Sequence, residues 1–324
     1  MIVAAGDRYD RLVSWGAITT SLDGIVWTIP SEPFTVRTKV LGVTNGPDKI
    51  VVVGDAGWVS YSYNSNDWLS DKIWNGNFQP LSIKYANNLY MTCGQARFLQ
   101  DEGPYPAGSE VGMIFSNDSG ENWAWKIAYC ASTDSRFYNI RFLQNVQIDQ
   151  NTVANVWIAV GSGTTSPTAI YSLDNGFTWN AILFPTLSSV KYAYDVVWNN
   201  RKFWFTTNGF ILNTPTLVNP VWEASQVITP TYGINDLVKI ASNTVGHMVA
   251  ACSGGLAYTT DQLGWTLFSQ PGYRFRSVIW YQAKQIWIAS AESNLTQYTY
   301  WTSSDTINWT PYNNSVQASD FTVI

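Results

Sequence analysis

Five aspartates recur at one spacing. Asp23, Asp118, Asp174, Asp261 and Asp305 each stand two residues after a Ser or Thr and four or five before a Trp. Asn64 takes the same place between Ser62 and Trp68. Repeated carboxylates could do acid–base chemistry, which needs a proton held near the working pH. A carboxylate that follows a Ser/Thr and precedes Gly, Asn or Ser reads instead as an ionised turn acceptor for backbone N–H groups. These acids are therefore expected to be structural. His247, the single His, stands between Gly246 and Met248 and reads as an ordinary polar residue; any His-based triad would have to use it. Cys93, Cys130 and Cys252 are too few and too widely spaced for a zinc site or a disulfide framework. The segments Thr92-Cys93-Gly94 and Ala251-Cys252-Ser253 look like matching places in two repeats and predict small buried spacers. No acidic run has calcium-loop spacing, and neither a metal nor a cofactor is expected.

A second set of residues mixes charge, amide and phenol. Asp7, Arg8, Tyr9 and Arg11 lie in segment 6–11, and Arg97, Asp101, Glu102 and Tyr105 in the insertion 95–110. Arg136 lies in segment 129–137 and Glu292 in segment 292–297. Read as loops on one side of the molecule, together with segment 161–167, these make a candidate surface for a ligand or partner. Two carboxyl groups about 5 to 10 Å apart across a sugar would turn such a surface into a glycosidase site. Asp7, Asp10, Asp101, Glu102 and Glu292 are the acids available for that.

The elements that position these residues are short strands. An apolar run such as Val156-Trp157-Ile158-Ala159-Val160 precedes each copy of the motif, and a second run such as Gly112-Met113-Ile114-Phe115 leads into it. A further run such as Tyr138-Asn139-Ile140-Arg141-Phe142 follows. Alternation and β-branched or aromatic content make these strands. The recurring Trp residues are Trp27, Trp68, Trp123, Trp179, Trp222, Trp265 and Trp309, with only the Trp left in the copy at 222. Four of the six intervals are 41 to 44 residues, and two are 55 and 56. Four short strands repeated seven times predict an all-β, seven-bladed β-propeller of four-stranded blades, forming one domain over residues 1–324. Residues 1–30 supply three strands of the first blade: Ile2-Val3-Ala4-Ala5, a run from Trp15, and Trp27 to Ile29. Residues 319–324 are expected to complete that blade and close the ring, which removes open sheet edges. The insertion 144–155 is expected to project on the motif side as a contact arm. Trp157, Trp198, Trp280 and Trp287 are expected to fill the core.

The Ser-x-Asp-x-Gly-x-x-Trp pattern resembles the Asp-box, or bacterial neuraminidase repeat. That resemblance implies a turn between the last two strands of each blade, with the Asp bonded inside it and the Trp packed between sheets. It implies that any activity lies on the opposite face. Sialidases similar to this have six blades, three converging arginines and an Arg-Ile-Pro-like segment. Here that segment is missing and no such triad stands out among nine arginines. Asp-box xyloglucan-cleaving enzymes pair two propellers around a cleft, and one ring lacks it. Photosystem-assembly propellers are similar in blade number and box but carry a lumenal signal and a basic patch.

Charged residues are 13% of the chain, against about 25% for an average soluble domain. The net charge is −5. Nucleic acid is therefore not expected as a partner, and no apolar run suits membrane insertion. The N-terminal residues lack the pattern of an export signal. The short box, the low charge and the Asn/Thr/Ser/Tyr content resemble propeller proteins of phages and large DNA viruses. The expectation is a non-enzymatic structural or adhesion propeller of a virion, made in the host cytoplasm. It would contact other virion proteins or a cell-surface glycan. The alternative is an Asp-box glycoside hydrolase with paired carboxylates on the loop face.

Overall fold

The computed structural model describes residues 1–10, 13–29, 39–73, 77–98, 109–118, 126–163, 167–186, 190–227, 237–293, 298–314 and 316–323. Side chains of residues 8–10 and 13–15 fall outside that description. The described chain is nearly all strand, with one 3-10 turn at Asp55–Gly57. No helix in it is long and apolar enough to cross a membrane.

In chain order, β1 (Ile2–Asp10) and β2 (Val13–Ser21) open the first sheet. The second sheet is β3 (Val40–Asn45), β4 (Ile50–Gly54), β5 (Trp58–Ser62) and β6 (Leu69–Lys72). The third is β7 (Asn77–Ala86), β8 (Leu89–Arg97), β9 (Glu110–Asp118) and β10 (Lys126–Thr133). The fourth is β11 (Arg136–Gln147), β12 (Val153–Ser162), β13 (Pro167–Ser172) and β14 (Asn180–Ala181). The fifth is β15 (Ala193–Asn199), β16 (Lys202–Thr207), β17 (Phe210–Thr214) and β18 (Glu223–Gln226). A sixth sheet of six strands follows: β19 (Leu237–Ser242), β20 (Met248–Thr259), β21 (Thr266–Tyr281), β22 (Ile286–Ser293), β23 (Tyr298–Ser303) and β24 (Thr310–Asn314). The last strand, β25 (Gln317–Val323), returns to β1, with Ile2 opposite Val323 and Ala4 opposite Phe321.

This is a β-propeller, but it has six sheets where seven were expected. The two repeats between 237 and 314 are hydrogen-bonded into one sheet. Strand β21 causes this: its residues 266–269 pair with β20, while 273–281 pair with β22. The Ser253–Arg274 pair carries the ladder across the junction, and Gly254 and Gly272, both at positive φ, let the chain turn there without a break.

Strands in the middle of each sheet are buried on both faces, because sheets stack face to face around the axis. All five residues of β4 are buried, and so are five of the six in β16. That double burial is why these segments read as near-continuous apolar runs. The core divides into apolar layers between neighbouring sheets. Val156, Ile158 and Val160 meet Phe203 and Phe205 between the fourth and fifth. Ile2 and Ala4 meet Ile288 and Tyr300 between the first and sixth. One further layer lies inside the sixth sheet, where Val249 and Leu256 of β20 pack on Trp287 and Trp301.

Several local expectations need correction. Residues 6–10 are not a loop: Gly6 to Asp10 continue β1 and pair with β2. Gln95 to Arg97, Tyr129 to Thr133 and Glu292 to Ser293 are likewise strand residues. Polar composition misled there, since strand ends that face solvent or the axis accept polar side chains. The stretch Trp27 to Ile29 gives only one bridge, Thr20 to Thr28, so the first sheet has three strands. The insertion 144–155 is no free arm. Its buried Val146 and Ile148 pack on Leu217, and the Ile148 carbonyl accepts the Leu217 and Val218 N–H groups. Cys93 and Cys252 are buried as expected but sit one register apart: Cys93 pairs with Ser82 after an irregularity, Cys252 with Leu237 before one. Trp157 and Trp287 are core residues, whereas Trp198 and Trp280 are only partly buried.

Candidate binding site

Seven strands nearest the axis carry the same defect. In β3, β7, β11, β15, β19, β21 and β25 the pairing register slips by one residue. The unpaired residues are Leu41, Leu81, Tyr138, Tyr194, Val238, Arg276 and Ser319. Each stands before a small or polar residue and then a buried apolar one, as in Ala193-Tyr194-Asp195-Val196. A bulge re-aims one side chain, and here it aims seven of them at the axis. All seven line one cavity of about 330 Å³.

Glycines opposite the bulges make room for them. A Cβ on Gly54 would stand 2.1 Å from the Lys39 carbonyl oxygen. On Gly94 it would stand 2.0 Å from that of Gln79, and on Gly161 1.8 Å from that of Arg136. The bulged carbonyl occupies the space a side chain would need.

The cavity is rimmed by Asp7, Lys39, Lys239 and Glu292 besides the bulge residues. Arg276 bonds Glu292 across it. Tyr138 and Tyr194 lie side by side, ring centres 5.1 Å apart, with Tyr192 next to them. Asp7 is only 7% exposed, and its Oδ1 has no hydrogen-bond partner among the described residues. Burial pushes its carboxyl up to about 6, although the Lys39 charge and the Val40 N–H pull the other way. It can therefore exchange a proton near neutral pH.

Below the cavity a polar girdle rings the axis. Asp195, fully buried, accepts bonds from Arg141 Nε at 2.8 Å and Nη2 at 2.5 Å. Asn139 Nδ2 and the N–H groups of Val196 and Ile240 donate to it as well. Ser82 donates to Asn139 at 2.5 Å. Asp320 accepts the Val43 N–H at 3.3 Å and lies 3.5 Å from Lys239. These bonds tie neighbouring inner strands together at one level. Burial alone would raise the Asp195 carboxyl, but the Arg141 charge and its forked bonds hold it below the ordinary range.

Of the residues expected to bind, Asp7 and Glu292 meet in this cavity. Arg136 is held elsewhere, on the Gln95 amide, which in turn donates to Glu110. Arg97 is exposed at the end of β8. The side chains of Arg8 and Tyr9, and the whole of Arg11, Asp101, Glu102, Tyr105 and Trp123, lie outside the described residues. Tyr138, Tyr194, Arg276, Lys39 and Lys239 were not anticipated. The signal for most of them was in the chain as a broken alternation, apolar–any–small or polar–apolar, repeated on every inner strand.

The repeated acids lie on the other face, in turns built alike. Ser303 Oγ donates to Asp305 Oδ1 at 3.1 Å and accepts the Thr306 N–H at 2.9 Å. Asp305 Oδ1 accepts the Ile307 and Asn308 N–H groups, and Trp309 Nε1 closes on the Thr306 carbonyl at 2.8 Å. The turns at Asp23, Asn64, Asp174 and Asp261 repeat the side-chain acceptor pattern. Asn308 bonds hold Asp305 down to about 2, so it stays ionised. Asp118 ends β9 just before undescribed residues. Several of the tryptophans pack on the preceding repeat: Trp27 on Tyr300, Trp179 on Tyr129, Trp265 on Trp204 and Trp309 on Phe268. Trp222 differs, stacking on Phe184 and donating to the Leu183 carbonyl.

An axial cavity on a ring of sheets defines a β-propeller, and the solved structures agree at the level of the fold. No family model and no curated protein matches the sequence. The periplasmic gluconolactonase of Pseudomonas aeruginosa is similar with a TM-score of 0.61 and 10% identity, over 99% of this chain and 98% of that one. Virginiamycin B lyase of Staphylococcus aureus is similar with a TM-score of 0.60 and 12% identity, over 86% of this chain and 85% of that one. YCF48 bound to D1 peptide is similar with a TM-score of 0.55 and 14% identity, over 90% of this chain and 92% of that one.

Proposed function

We propose that this chain is a non-enzymatic recognition propeller of the Asp-box type, carried on a virus particle, that grips a cell-surface glycan or a neighbouring virion protein. The reading counts seven wedges on six sheets, the two halves of the 237–314 sheet acting as two. One observation carries it: the cavity of about 330 Å³ on the axis, where Tyr138 and Tyr194 stand beside charges of both signs. Aromatic faces beside fixed hydrogen-bonding groups suit a small polar ligand such as a sugar. The opposite face suits assembly. Its turns carry exposed apolar tips at Leu22, Val26, Leu173, Phe177, Leu263 and Ile307. A ring seated on its particle through that face leaves the cavity free. That one similar propeller is solved with a peptide bound keeps a peptide among the occupants.

A glycan array probed with the purified chain tests the adhesion half. Binding to a restricted set of glycans, lost in Tyr138→Ala and Tyr194→Ala while the melting temperature holds, is the expected result. No retained glycan and no association with purified particles would remove the proposal.

One observation favours the hydrolase instead. Asp7 and Glu292 share the cavity, and Asp7 is raised into the range of a proton donor. Glu292 would first have to leave Arg276 to attack a sugar or activate water. Reducing ends released from an array-positive glycan, and not released by Asp7→Asn, would decide for this second reading.

A further inference from the structure

The axial tunnel holds more positive than negative charge. Lys84 and Arg141 each stand three residues past the bulge of their strands, on the neighbouring β7 and β11. Lys239 reaches the same space one level nearer the cavity. Against these three cations stand two carboxylates, Asp195 and Asp320, and both are engaged. Asp195 is saturated by the Arg141 fork, Asn139 and two backbone N–H groups. Asp320 is shared by Lys239 and the Val43 N–H. Among the described residues the Lys84 ammonium has no hydrogen-bond or ion-pair partner.

Lys84 is partly exposed, so water solvates its charge in part; beyond that the amine sheds its proton or gains a counter-ion. Burial, Arg141 and Lys239 push the Lys84 amine down from its ordinary range, and Asp320 opposes them. The space for a counter-ion is present. Lys84 borders a second cavity of about 450 Å³ formed along β7, β11 and β15, beside Phe142, Gln144 and Trp198. Of the three cations Lys84 alone lines it, while Arg141 and Lys239, each paired with a carboxylate, add a smaller positive potential at its amine. A cation would meet the same field as repulsion, with no carboxylate among the described residues lining the cavity to receive it. The Thr44 hydroxyl, at the matching level of β3, accepts the Tyr85 N–H and keeps its own proton to donate.

We infer that the tunnel binds one small monovalent inorganic anion, of the size of chloride, beside Lys84. The site is separate from the axial cavity of the opposite face and does not depend on the function proposed for it. The anion neutralises the odd cation and lets Lys84 stay protonated between its two positive neighbours.

The test uses the intact chain at pH 7 and constant ionic strength, with sodium chloride exchanged for sodium gluconate. Each tenfold rise of chloride above its Kd should raise the folded-to-unfolded ratio about tenfold. That dependence should vanish in Lys84→Met and persist in Lys84→Arg. Crystals grown in bromide should show anomalous density at the Lys84 amine, a readout that needs no variant. Equal melting temperatures in chloride and gluconate, a chloride dependence that survives Lys84→Met, or the absence of bromide at Lys84 would each overturn the inference.

Discussion

Asp7 and Asp305 are both aspartates near strand ends, and their surroundings drive them in opposite directions. Asp305 sits in an exposed turn with N–H groups aimed at it and stays ionised. Asp7 is buried, with one oxygen unpaired among the described residues, and is raised to about 6. The sign of its effect follows from proton linkage. Its folded value lies above the ordinary aspartate value of 3.8, so its favourable contribution is complete below about pH 4 and lost as pH rises through 6. The gap corresponds to about 3 kcal/mol. Asp7→Asn should therefore raise the melting temperature at pH 7.5 and change it little at pH 4, as scanning calorimetry at both values would show. Equal shifts at the two pH values would place the strain elsewhere. The sequence marked Asp7 as a candidate but as a loop residue. Its burial depends on β25, some 310 positions further along the chain, and no local pattern reveals that.

At the scale of the element, the bulge and its opposing glycine form one device. Gly161 faces Phe137 across the ladder, and a methyl group there would collide with the Arg136 carbonyl. Gly161→Ala should cost roughly 1 to 3 kcal/mol as overpacking. It should also retract Tyr138 from the cavity, so that ligand binding falls more than stability does; urea unfolding and binding measured together check this. Strands and turns were legible because alternation and the Ser-x-Asp signal are local. The bulges were less so. Phe137-Tyr138-Asn139-Ile140 reads as one unbroken strand unless its two consecutive interior positions, Asn139 and Ile140, are noticed. The fusion of the two last repeats was not legible at all. The turn at Gly254 looks like any hairpin, and nothing local says that the ladder continues through Arg274.

For the molecule as a whole, the girdle links inner strands that are far apart in the chain. Asp195 joins β11, β15 and β19 through Arg141, Asn139 and the Ile240 N–H. Asp195→Ala strands a partly buried guanidinium and should cost about 3 to 5 kcal/mol, read from chemical denaturation. Because its folded value is depressed, Asp195 contributes stability above the unfolded range near pH 4 and loses it as pH falls further. Acid and alkaline limits thus come from two different aspartates. Asp195 governs loss below pH 4, and Asp7 weakens the fold above 6.

The six-stranded sheet makes the ring uneven. The six joints between sheets can loosen by parting side chains alone, whereas residues 237–314 must also break a backbone ladder. Amide exchange should find that stretch opening as one cooperative block, slower than any other span of two repeats. Thermal breathing of the disc would then be lopsided, hinging away from this stiff sector and widening the axis on the side of β3 to β11.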